Sequence, residues 1–429
     1  FKNLKNMSFL KKIRKFKNRT AIVLNGRTTI SYSQLIKDSK NTVNKIKKRS
    51  LVLILAGNNY ETISSYVGII NIKSAVLIVD KEIPREFFIN IVKKYNPNFI
   101  FLPKQKEIPS RYSKLCEFKN YQIIKQNVIN KVKLNKDLAV LLTTSGTTGS
   151  KKFVKQSYKN YEDNSQKIIK NIEINKNSSV ITTLPFSYTF GLSIINTHLI
   201  CGSKIVLNEF SVLNSTFWKL YDKFKPKNFY GVPFIFEMID RIDYRKLIKN
   251  NLDVIANAGG KLDKKLFIKL AKLSKNNKIK FYNMYGQTEA TSRMSVLNYK
   301  DSLKRPLSIG KPLEGGKFYL KSDYNRIINK TNVSGNLFYK GKNVSLGYSN
   351  SFKDLYKKDI NKNIINTGDV AKFDEKGFFY IVGRKKRFVK LFGNRISLDE
   401  IESLVLKMGF KIKCENIDNK LIIKCMSYK

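Results

Sequence analysis

The sequence has one histidine and four cysteines among its 429 residues. The histidine, His198, lies in an apolar stretch, which is typical of a packed or helix-capping side chain rather than a catalytic one. We therefore expect neither Ser-His-Asp catalysis nor a histidine metal cluster. The cysteines show no CxxC spacing; they are Cys116, Cys201, Cys414 and Cys425. Neither a zinc site nor a disulfide framework is predicted, and this pattern fits a cytoplasmic location.

Long apolar runs and acidic residues are also scarce. No run approaches the ~18 apolar residues that a membrane-spanning helix needs. Asp and Glu number 32 against 82 Lys and Arg, which gives a formal net charge of +50. Such a charge attracts nucleic acid, anionic lipid or an acidic protein. The lysines are spread along the whole chain, without a basic stripe that alternates with stacking aromatics. We therefore predict no nucleic-acid binding and no stable membrane insertion.

The N-terminal segment combines cations with apolar residues at helical spacing. Phe9, Leu10, Ile13 and Phe16 recur in this way within residues 7–19. We expect an ordinary helix that packs on the domain, and the alternative is a helix that lies on a membrane surface.

The remaining pattern indicates a globular α/β protein. Hydrophobic residues make up 42% of the chain and aromatic residues 12%, as in folded domains. Short apolar runs alternate with helical stretches, which predicts α/β layers with parallel sheets. Strands are predicted at residues 51–56, 75–79, 98–102, 138–142, 180–183, 204–207, 228–230 and 253–256, and helices at 60–72 and 264–273. After about residue 315, short aromatic runs at 317–321, 335–340 and 378–382 indicate a small antiparallel, barrel-like unit.

One run is more specific than the rest: residues 141–152 read LLTTSGTTGSKK. It follows a predicted buried strand and combines hydroxyls, glycines and lysines. Backbone amides and hydroxyls donate to phosphate oxygens, glycines allow close approach, and a lysine adds a compact positive charge. The spacing does not fit the P-loop pattern. Taken alone, the run is either a phosphate-binding loop or a flexible Ser/Thr/Gly loop.

Three further blocks follow the run in a fixed order. They are YGQTEA at residues 285–290, TGD at 367–369 and GRKKRFVKLFGNRISLDEIE at 383–402. Together the four blocks closely resemble those of the adenylate-forming, or AMP-binding, enzymes: acyl-CoA synthetases, luciferases and peptide-synthetase adenylation domains. The resemblance covers roughly residues 20–408. Lys151 and Phe153 stand where the family's phosphate loop usually has proline and glycine.

This resemblance implies a fold class and a domain division. The expected fold is α/β, with a large N-terminal domain of layered α/β subdomains plus a small distorted β-barrel. A shortened α+β C-terminal lid follows. The AMP-binding domain would span residues 1–384 and the partial lid residues 385–429. Lys386 matches the family's hinge position.

The resemblance also implies a reaction and its residues. A carboxylate would attack the α-phosphate of ATP, and Lys152, Thr288 and Glu289 would be the catalytic residues. Glu289 would hold Mg²⁺, which prefers oxygen ligands. Tyr285 would pack on adenine, and Asp369 would accept hydrogen bonds from both ribose hydroxyls. The full set implied for the nucleotide is Thr144, Ser145, Gly146, Thr147, Thr148, Gly149, Lys152, Gly259, Gly260, Lys261, Tyr285, Gly286, Thr288, Asp369 and Arg384.

The acyl pocket is expected around residues 184–191, LPFSYTFG, and 230–233, YGVP. Its implied residues are Phe186, Ser187, Tyr188, Gly191 and Val232. Between residues 164 and 208 the only acidic residue is Glu173, in a polar stretch. Adenylating enzymes for α-amino acids usually carry an aspartate in this region, so a plain carboxylic acid is the expected substrate.

The pattern breaks in the lid. The family's lid is longer and carries a second lysine near its end, which has no counterpart here. The expected explanation is an incomplete polypeptide, and the alternatives are a degenerate enzyme or one that a partner completes. Gly393 would border the tunnel for a thiol, from coenzyme A or from an acidic acyl carrier protein. We therefore predict an ATP-dependent acid–thiol ligase. The alternatives are an adenylation-only enzyme and a non-catalytic nucleotide- or acyl-binding protein.

Overall fold

The computed structural model describes residues 9–24, 26–128, 132–144, 152–384, 388–391, 394–408, 410, 412–417 and 420–425. No helix in these ranges is both long enough and apolar enough to cross a membrane.

The strands are β1 (Thr20–Leu24), β2 (Thr28–Ser31), β3 (Leu51–Ala56), β4 (Ala75–Asp80), β5 (Phe99–Pro103), β6 (Tyr112–Phe118), β7 (Tyr121–Gln126), β8 (Leu138–Thr143), β9 (Phe153–Ser157), β10 (Ser179–Ile181), β11 (Lys204–Val206), β12 (Asn228–Gly231), β13 (Val254–Asn257), β14 (Lys280–Tyr285), β15 (Ser295–Leu297), β16 (Lys311–Pro312), β17 (Lys317–Lys321), β18 (Ile327–Ile328), β19 (Gly335–Lys340), β20 (Tyr348–Ser349), β21 (Ile364–Phe373), β22 (Phe379–Arg384), β23 (Phe388–Leu391), β24 (Asn394–Ser397), β25 (Ile412–Ile417) and β26 (Lys420–Cys425). The helices are α1 (Phe9–Arg14), α2 (Tyr32–Asn41), α3 (Tyr60–Asn71), α4 (Arg85–Tyr95), α5 (Tyr158–Asn171), α6 (Thr189–Cys201), α7 (Ser215–Phe224), α8 (Pro233–Ile242), α9 (Arg245–Ile248), α10 (Lys264–Asn276) and α11 (Leu398–Lys407), with 3-10 turns at Thr288–Ala290 and Phe352–Asp354.

Two large mixed sheets carry the N-terminal part of the fold. One has the strand order β16-β15-β14-β13-β12-β10-β11-β1-β2, and the other β20-β9-β8-β4-β3-β5-β7-β6. Their central strands are parallel and buried on both faces, which explains why runs such as LVLILA are continuously apolar.

Helices lie between the two sheets and build the main core. Alternate residues of β3 show the layering: Val52 and Ile54 face this core, whereas Leu51 and Leu53 face a second core that includes α4. Across the inner layer, the Tyr66 hydroxyl of α3 donates to Asn196 Oδ1 of α6 over 3.1 Å. The site-forming loops are therefore anchored on rigid, doubly covered sheets.

Helix α1 packs on the domain, as the sequence analysis expected. Ile13 is fully buried, and the Phe16 ring packs on Gly202, where a Cβ atom would lie 2.4 Å from that ring. The nearly buried Lys12 ammonium donates to Glu162 Oε1 over 2.6 Å. Ile13, on the apolar face of this helix, is therefore covered by protein.

A smaller antiparallel sheet follows, in the order β18-β17-β19-β21-β22. Phe318, Leu337 and Tyr339 of this sheet pack on Ala290 and Met294, which belong to the loop after β14. The sheet is thereby held against the edge where the predicted nucleotide residues lie.

The C-terminal part has a small core of its own. The hairpins β23–β24 and β25–β26 pack with α11, and Val389, Leu398 and Cys414 are buried among them. Lys386 lies outside the described residues.

Candidate functional site

The predicted site residues come after the carboxyl ends of neighbouring parallel strands. Strands β12, β13 and β14 lie side by side in parallel. Val232 follows β12, Gly259 follows β13, and Tyr285 is the last residue of β14. Because the carboxyl ends of parallel strands meet at one edge of a sheet, residues from three separate motifs gather there.

Tyr285 and Asp369 form the clearest contact between distant motifs. The Tyr285 hydroxyl donates to Asp369 Oδ2 over 2.5 Å. Asp369 is 1% exposed and belongs to β21, where its backbone N–H donates to Thr367 Oγ1. Arg384 lies opposite Asp369 in the antiparallel register of β21 and β22. The YGQTEA, TGD and GR blocks therefore meet at one place.

The TGD block lies in a strand, although an isolated TGD is typical of a turn. Its three residues belong to the ten-residue strand β21. Gly368 has a φ of +77°, and the register shifts between Val370 and Ala371. The irregular backbone lets a polar turn sequence continue a strand.

Thr288 is buried and hydrogen-bonded on both sides. Thr189 Oγ1 donates to Thr288 Oγ1 over 3.0 Å, and Gln156 Nε2 donates to the Thr288 carbonyl over 2.6 Å. These contacts join the 3-10 turn to the start of α6 and to β9. The threonine hydroxyl is thus held in place by elements that carry other predicted site residues.

Glu289 is half-buried beside Tyr348, whose hydroxyl donates to Glu289 Oε1 over 2.5 Å. Within the described ranges, no group of three or more His, Cys, Asp or Glu side chains is placed to hold a metal ion. A lone carboxylate suits Mg²⁺, because this ion is usually bound by one or two carboxylates together with phosphates and water. The donor set therefore fits a magnesium ion that arrives with a nucleotide.

Gly259 lies between two predicted acyl-pocket residues. Its φ is +80°, and a Cβ atom there would lie 2.6 Å from the Tyr188 hydroxyl and 3.0 Å from Val232 Cγ1. Only glycine suits that conformation at that separation. The predicted adenine-binding segment and the predicted acyl pocket therefore adjoin. Gly260 follows at half burial, and Lys261 is exposed.

Gly286 is fixed by the loop that it begins. An added Cβ atom would lie 1.6 Å from the Ser292 carbonyl oxygen. The Met294 N–H donates to the Tyr285 carbonyl over 2.8 Å and closes the same loop. Any larger residue at this position would force the loop open.

The remaining predicted acyl-pocket residues lie around the start of α6. The Phe186 N–H donates to Asn58 Oδ1, and Phe186 and Gly191 are buried. Ser187 Oγ donates to Asp80 Oδ2 over 2.9 Å, and Asp80 ends β4. The loop before α6 is therefore fastened to the second large sheet.

The predicted phosphate loop is described only at its borders. Thr144 is half-buried and follows β8, and Lys152 is exposed and precedes β9. Ser145, Gly146, Thr147, Thr148 and Gly149 lie outside the described residues, as does Gly393. Their assignments stay predictions.

The chain is similar to known proteins over most of its length. The sequence model described as AMP-binding enzyme matches residues 9–349. The chain belongs to the AMP-binding enzyme family.

Curated relatives of this AMP-binding enzyme include ligases and luciferases. A 2-succinylbenzoate–CoA ligase from Oceanobacillus iheyensis is 29% identical over 276 residues, which cover 63% of this chain and 55% of that protein. A luciferin 4-monooxygenase from Photuris pensylvanica is 26% identical over 379 residues, covering 80% and 67%. The chain thus spans little more than half the length of the ligase.

Solved structures share the fold. An o-succinylbenzoate coenzyme A synthetase from Bacillus subtilis, bound to a product analogue, has a TM-score of 0.77 at 19% identity, with coverage of 97% of this chain and 87% of that one. Another structure of a B. subtilis o-succinylbenzoate coenzyme A synthetase, with ATP and magnesium, has a TM-score of 0.71 at 18% identity, covering 97% and 88%. The predicted α/β fold class is confirmed.

Sequence reasoning missed several residues of this AMP-binding enzyme. Asp80, Gln156 and Tyr348 each contact a predicted site residue, whereas Thr189 lies inside the segment expected to line the acyl pocket. Asp80 carried one available signal, since it is the charged last residue of an otherwise apolar strand. The others lie in ordinary-looking segments and are placed only by tertiary packing.

Arg293 is the most unusual of the missed residues. It is 1% exposed, and its Cζ lies 5.0 Å from the Phe190 ring centre and 5.5 Å from that of Tyr230. Burial lowers the pKa of its guanidinium to about 10 and raises the pKa of Tyr230 to about 12. At neutral pH the arginine therefore stays charged inside the protein.

Proposed function

We propose that this chain activates a carboxylic acid with ATP and transfers the acyl group to a thiol. In the first step an oxygen of the carboxylate forms a bond to the α-phosphorus, and the bond to pyrophosphate breaks. In the second step the thiol sulfur bonds the acyl carbon, AMP leaves, and the thiol proton passes to solvent. Membership in the AMP-binding family and the named ligase relatives support this reaction.

The observation that carries the proposal is the hydrogen bond between Tyr285 and Asp369. It brings together two residues, far apart in sequence, that are both expected at one nucleotide. Asp369 would accept from the ribose hydroxyls, and Arg384, opposite it in the sheet, would be a second ribose contact. Tyr285 would lie against adenine, with Gly259, Gly260 and Lys261 along the ring's edge.

The phosphates would lie at the other side of the same edge. Lys152 and the loop of residues 144–149 would hold the β- and γ-phosphates, and Thr288 would donate to the α-phosphate. Glu289 would hold the magnesium ion that accompanies ATP, and the ion would neutralise phosphate charge. Both reactants are anionic, so neutralising and aligning them supplies most of the expected rate gain.

The acyl group would lie beside the nucleotide, among Phe186, Ser187, Tyr188, Gly191 and Val232. Contact of Tyr188 and Val232 with Gly259 supports this placement, because the reacting carboxylate must reach the α-phosphate. The acceptor would be coenzyme A or a carrier-protein thiol. One structural neighbour is an artificial fusion of an adenylation domain with a carrier protein, which supports the carrier-protein thiol as an acceptor.

We also propose two domains, residues 1–384 and 385–429, with Lys386 as the hinge and Gly393 beside the thiol. The separate small core of Val389, Leu398 and Cys414 supports a lid that moves as a unit. Lid rotation would then switch the site between adenylation and thioester formation.

The test is ATP–pyrophosphate exchange with short, long and aromatic carboxylic acids. We expect the wild-type protein to support exchange with one acid class. We expect Asp369→Asn to lower kcat/KM for ATP roughly 10- to 100-fold, because a charged hydrogen-bond acceptor is lost. Asp374→Asn is the matched control. Asp374 lies just past the same strand and pairs with Arg305, away from the nucleotide residues, so its exchange should stay near wild type.

Absence of exchange with every acid, while ATP still binds, would contradict the proposal. That result would favour a non-catalytic nucleotide-binding protein. Exchange without thioester formation would instead favour an adenylation-only enzyme.

A further inference from the structure

Arg293 presents an unpaired hydrogen-bonding edge inside the protein. Among the described residues, its Nε and Nη2 have no hydrogen-bond partner, whereas Nη1 lies 3.9 Å from Met284 Sδ. Nε–H and Nη2–H point the same way and form the side-on fork of the guanidinium. This fork matches the two oxygens of a carboxylate.

The surroundings of this edge offer no compensation within the described chain. Phe190 and Tyr230 attract the positive charge through their ring faces, but ring faces do not satisfy the in-plane N–H donors. Arg293 makes no ion pair with any described carboxylate. Its positive charge also contributes to the low pKa of the neighbouring His198. A buried charge without a partner is unfavourable, so an external anion is the natural complement.

Two unusual backbone conformations place the arginine there. Thr291 and Ser292 have φ values of +53° and +92°, which are uncommon for residues other than glycine. They turn the chain after Thr288 and Glu289, so that the same loop carries the expected phosphate contacts and then the buried guanidinium. Strained backbone of this kind often accompanies a functional constraint.

The two rings that contact the guanidinium adjoin residues of the predicted acyl pocket. Phe190 follows Tyr188 and Thr189 at the start of α6, and the rings of Tyr188 and Phe190 are 6.5 Å apart. Tyr230 precedes Val232 by two residues. An acid held beside Gly259 would therefore extend from Tyr188 toward Phe190, with Arg293 next.

We propose that the Nε and Nη2 edge of Arg293 binds a second carboxylate, at the far end of the acid from the one that is adenylated. The substrate class is then dicarboxylic acids. This inference rests on the proposed acid activation and narrows its substrate.

The test compares diacids with monoacids that carry a methyl group or hydrogen in place of the second carboxylate. Suitable pairs are heptanedioate with heptanoate, benzene-1,4-dicarboxylate with 4-methylbenzoate, and 2-succinylbenzoate with 4-oxo-4-phenylbutanoate. In ATP–pyrophosphate exchange we expect wild type to prefer one diacid by roughly 100-fold in kcat/KM, because a monoacid leaves the buried fork unpaired. Arg293→Met should lose exchange with that diacid, so that the ratio of kcat/KM for the diacid to kcat/KM for its monoacid falls to about one. Arg293→Lys should keep part of the diacid preference.

Arg305→Met is the matched control, since Arg305 also stacks on a ring, that of Phe378, but lies elsewhere. Its diacid preference should equal that of wild type. An Arg293→Met protein that loses diacid and monoacid exchange equally would show a structural role and overturn the inference. Wild-type exchange without diacid preference would also overturn it, while acid activation itself would stand.

A binding measurement distinguishes failure of the proposed reaction from failure of the proposed anion site. If no acid supports exchange, thermal unfolding is followed with each acid pair. A rise in Tm with a diacid in wild type, absent in Arg293→Met, supports the anion site although the reaction fails. Equal shifts in both proteins, or no shift in either, overturn the inference.

Discussion

At the scale of single residues, the site depends on side chains that are hydrogen-bonded across long stretches of chain. Tyr285 and Asp369 are one such pair, and Thr189 and Thr288 are another. Motif resemblance predicted a nucleotide role for three of these residues. It did not predict that they contact one another, because the separation of two motifs along the chain does not determine the distance between them in the folded protein.

Removing the Tyr285 hydroxyl tests this pairing. Tyr285→Phe keeps the ring but takes a donor from Asp369, so the carboxylate is less well held for the ribose. We expect KM for ATP to rise about threefold to tenfold with kcat little changed, which corresponds to one hydrogen bond.

The matched control is Tyr380→Phe, since the Tyr380 hydroxyl faces Asp374 in the same way but away from the nucleotide residues. It should leave KM unchanged. An unaltered KM in Tyr285→Phe would mean that the contact with Asp369 does not position the nucleotide.

Arg293 shows what residue-level reasoning could not reach. In the sequence it follows Thr291 and Ser292, and TSRM looks like a polar turn. Its burial arises from two positive φ values and from rings on α6 and β12, none of which a local pattern encodes. A charged side chain that is buried, although such side chains prefer solvent, is expected where function constrains the structure.

At the scale of elements, continuous apolar runs were the reliable signal. The predicted strand at residues 51–56 coincides with β3, and those at 317–321 and 335–340 coincide with β17 and β19. The hairpin of β6 and β7 was not predicted. Strand β6 mixes one exposed lysine and one exposed glutamate with half-buried apolar residues, and its turn uses Lys119 at a φ of +52° rather than glycine.

The contact between α6 and β12 predicts a dependence of stability on pH. His198 is fully buried on α6, its Nδ1 bonds the Ile194 carbonyl, and its Nε2 lies 3.2 Å from Asn228 Nδ2. Burial lowers the pKa of His198 to about 3. The unfolded chain, with a histidine pKa of about 6.5, binds a proton that the folded protein does not.

Stability should therefore fall as pH drops below about 6.5. By pH 5 the expected loss of unfolding free energy is about 2 kcal/mol relative to pH 8. Urea unfolding at a series of pH values measures it, and His198→Gln should remove this slope because the chain has no other histidine. A wild-type free energy that is equal at pH 8 and pH 5 would contradict a neutral, buried His198.

At the scale of the whole molecule, two parallel-cored sheets and a small antiparallel sheet converge on one edge. Composition and alternation predicted this α/β class, and membership in the AMP-binding family confirms it. Site chemistry beyond that was predictable only by resemblance. The phosphate loop is the strongest sequence signal, whereas the described structure adds the contact of Asp80 with Ser187 and the burial of Arg293, which arise only when the layers assemble.

The most direct measurement follows an oxygen atom from the acid to the nucleotide. The protein is incubated with ATP, magnesium, coenzyme A and diacids whose carboxyl oxygens are labelled with oxygen-18. The mass of the nucleotide product is then measured by mass spectrometry. If the carboxylate attacks the α-phosphate, thioester formation leaves one labelled oxygen in AMP, and pyrophosphate accumulates. Unlabelled AMP, ADP with inorganic phosphate, or no turnover with any acid would contradict acyl-adenylate chemistry in this chain.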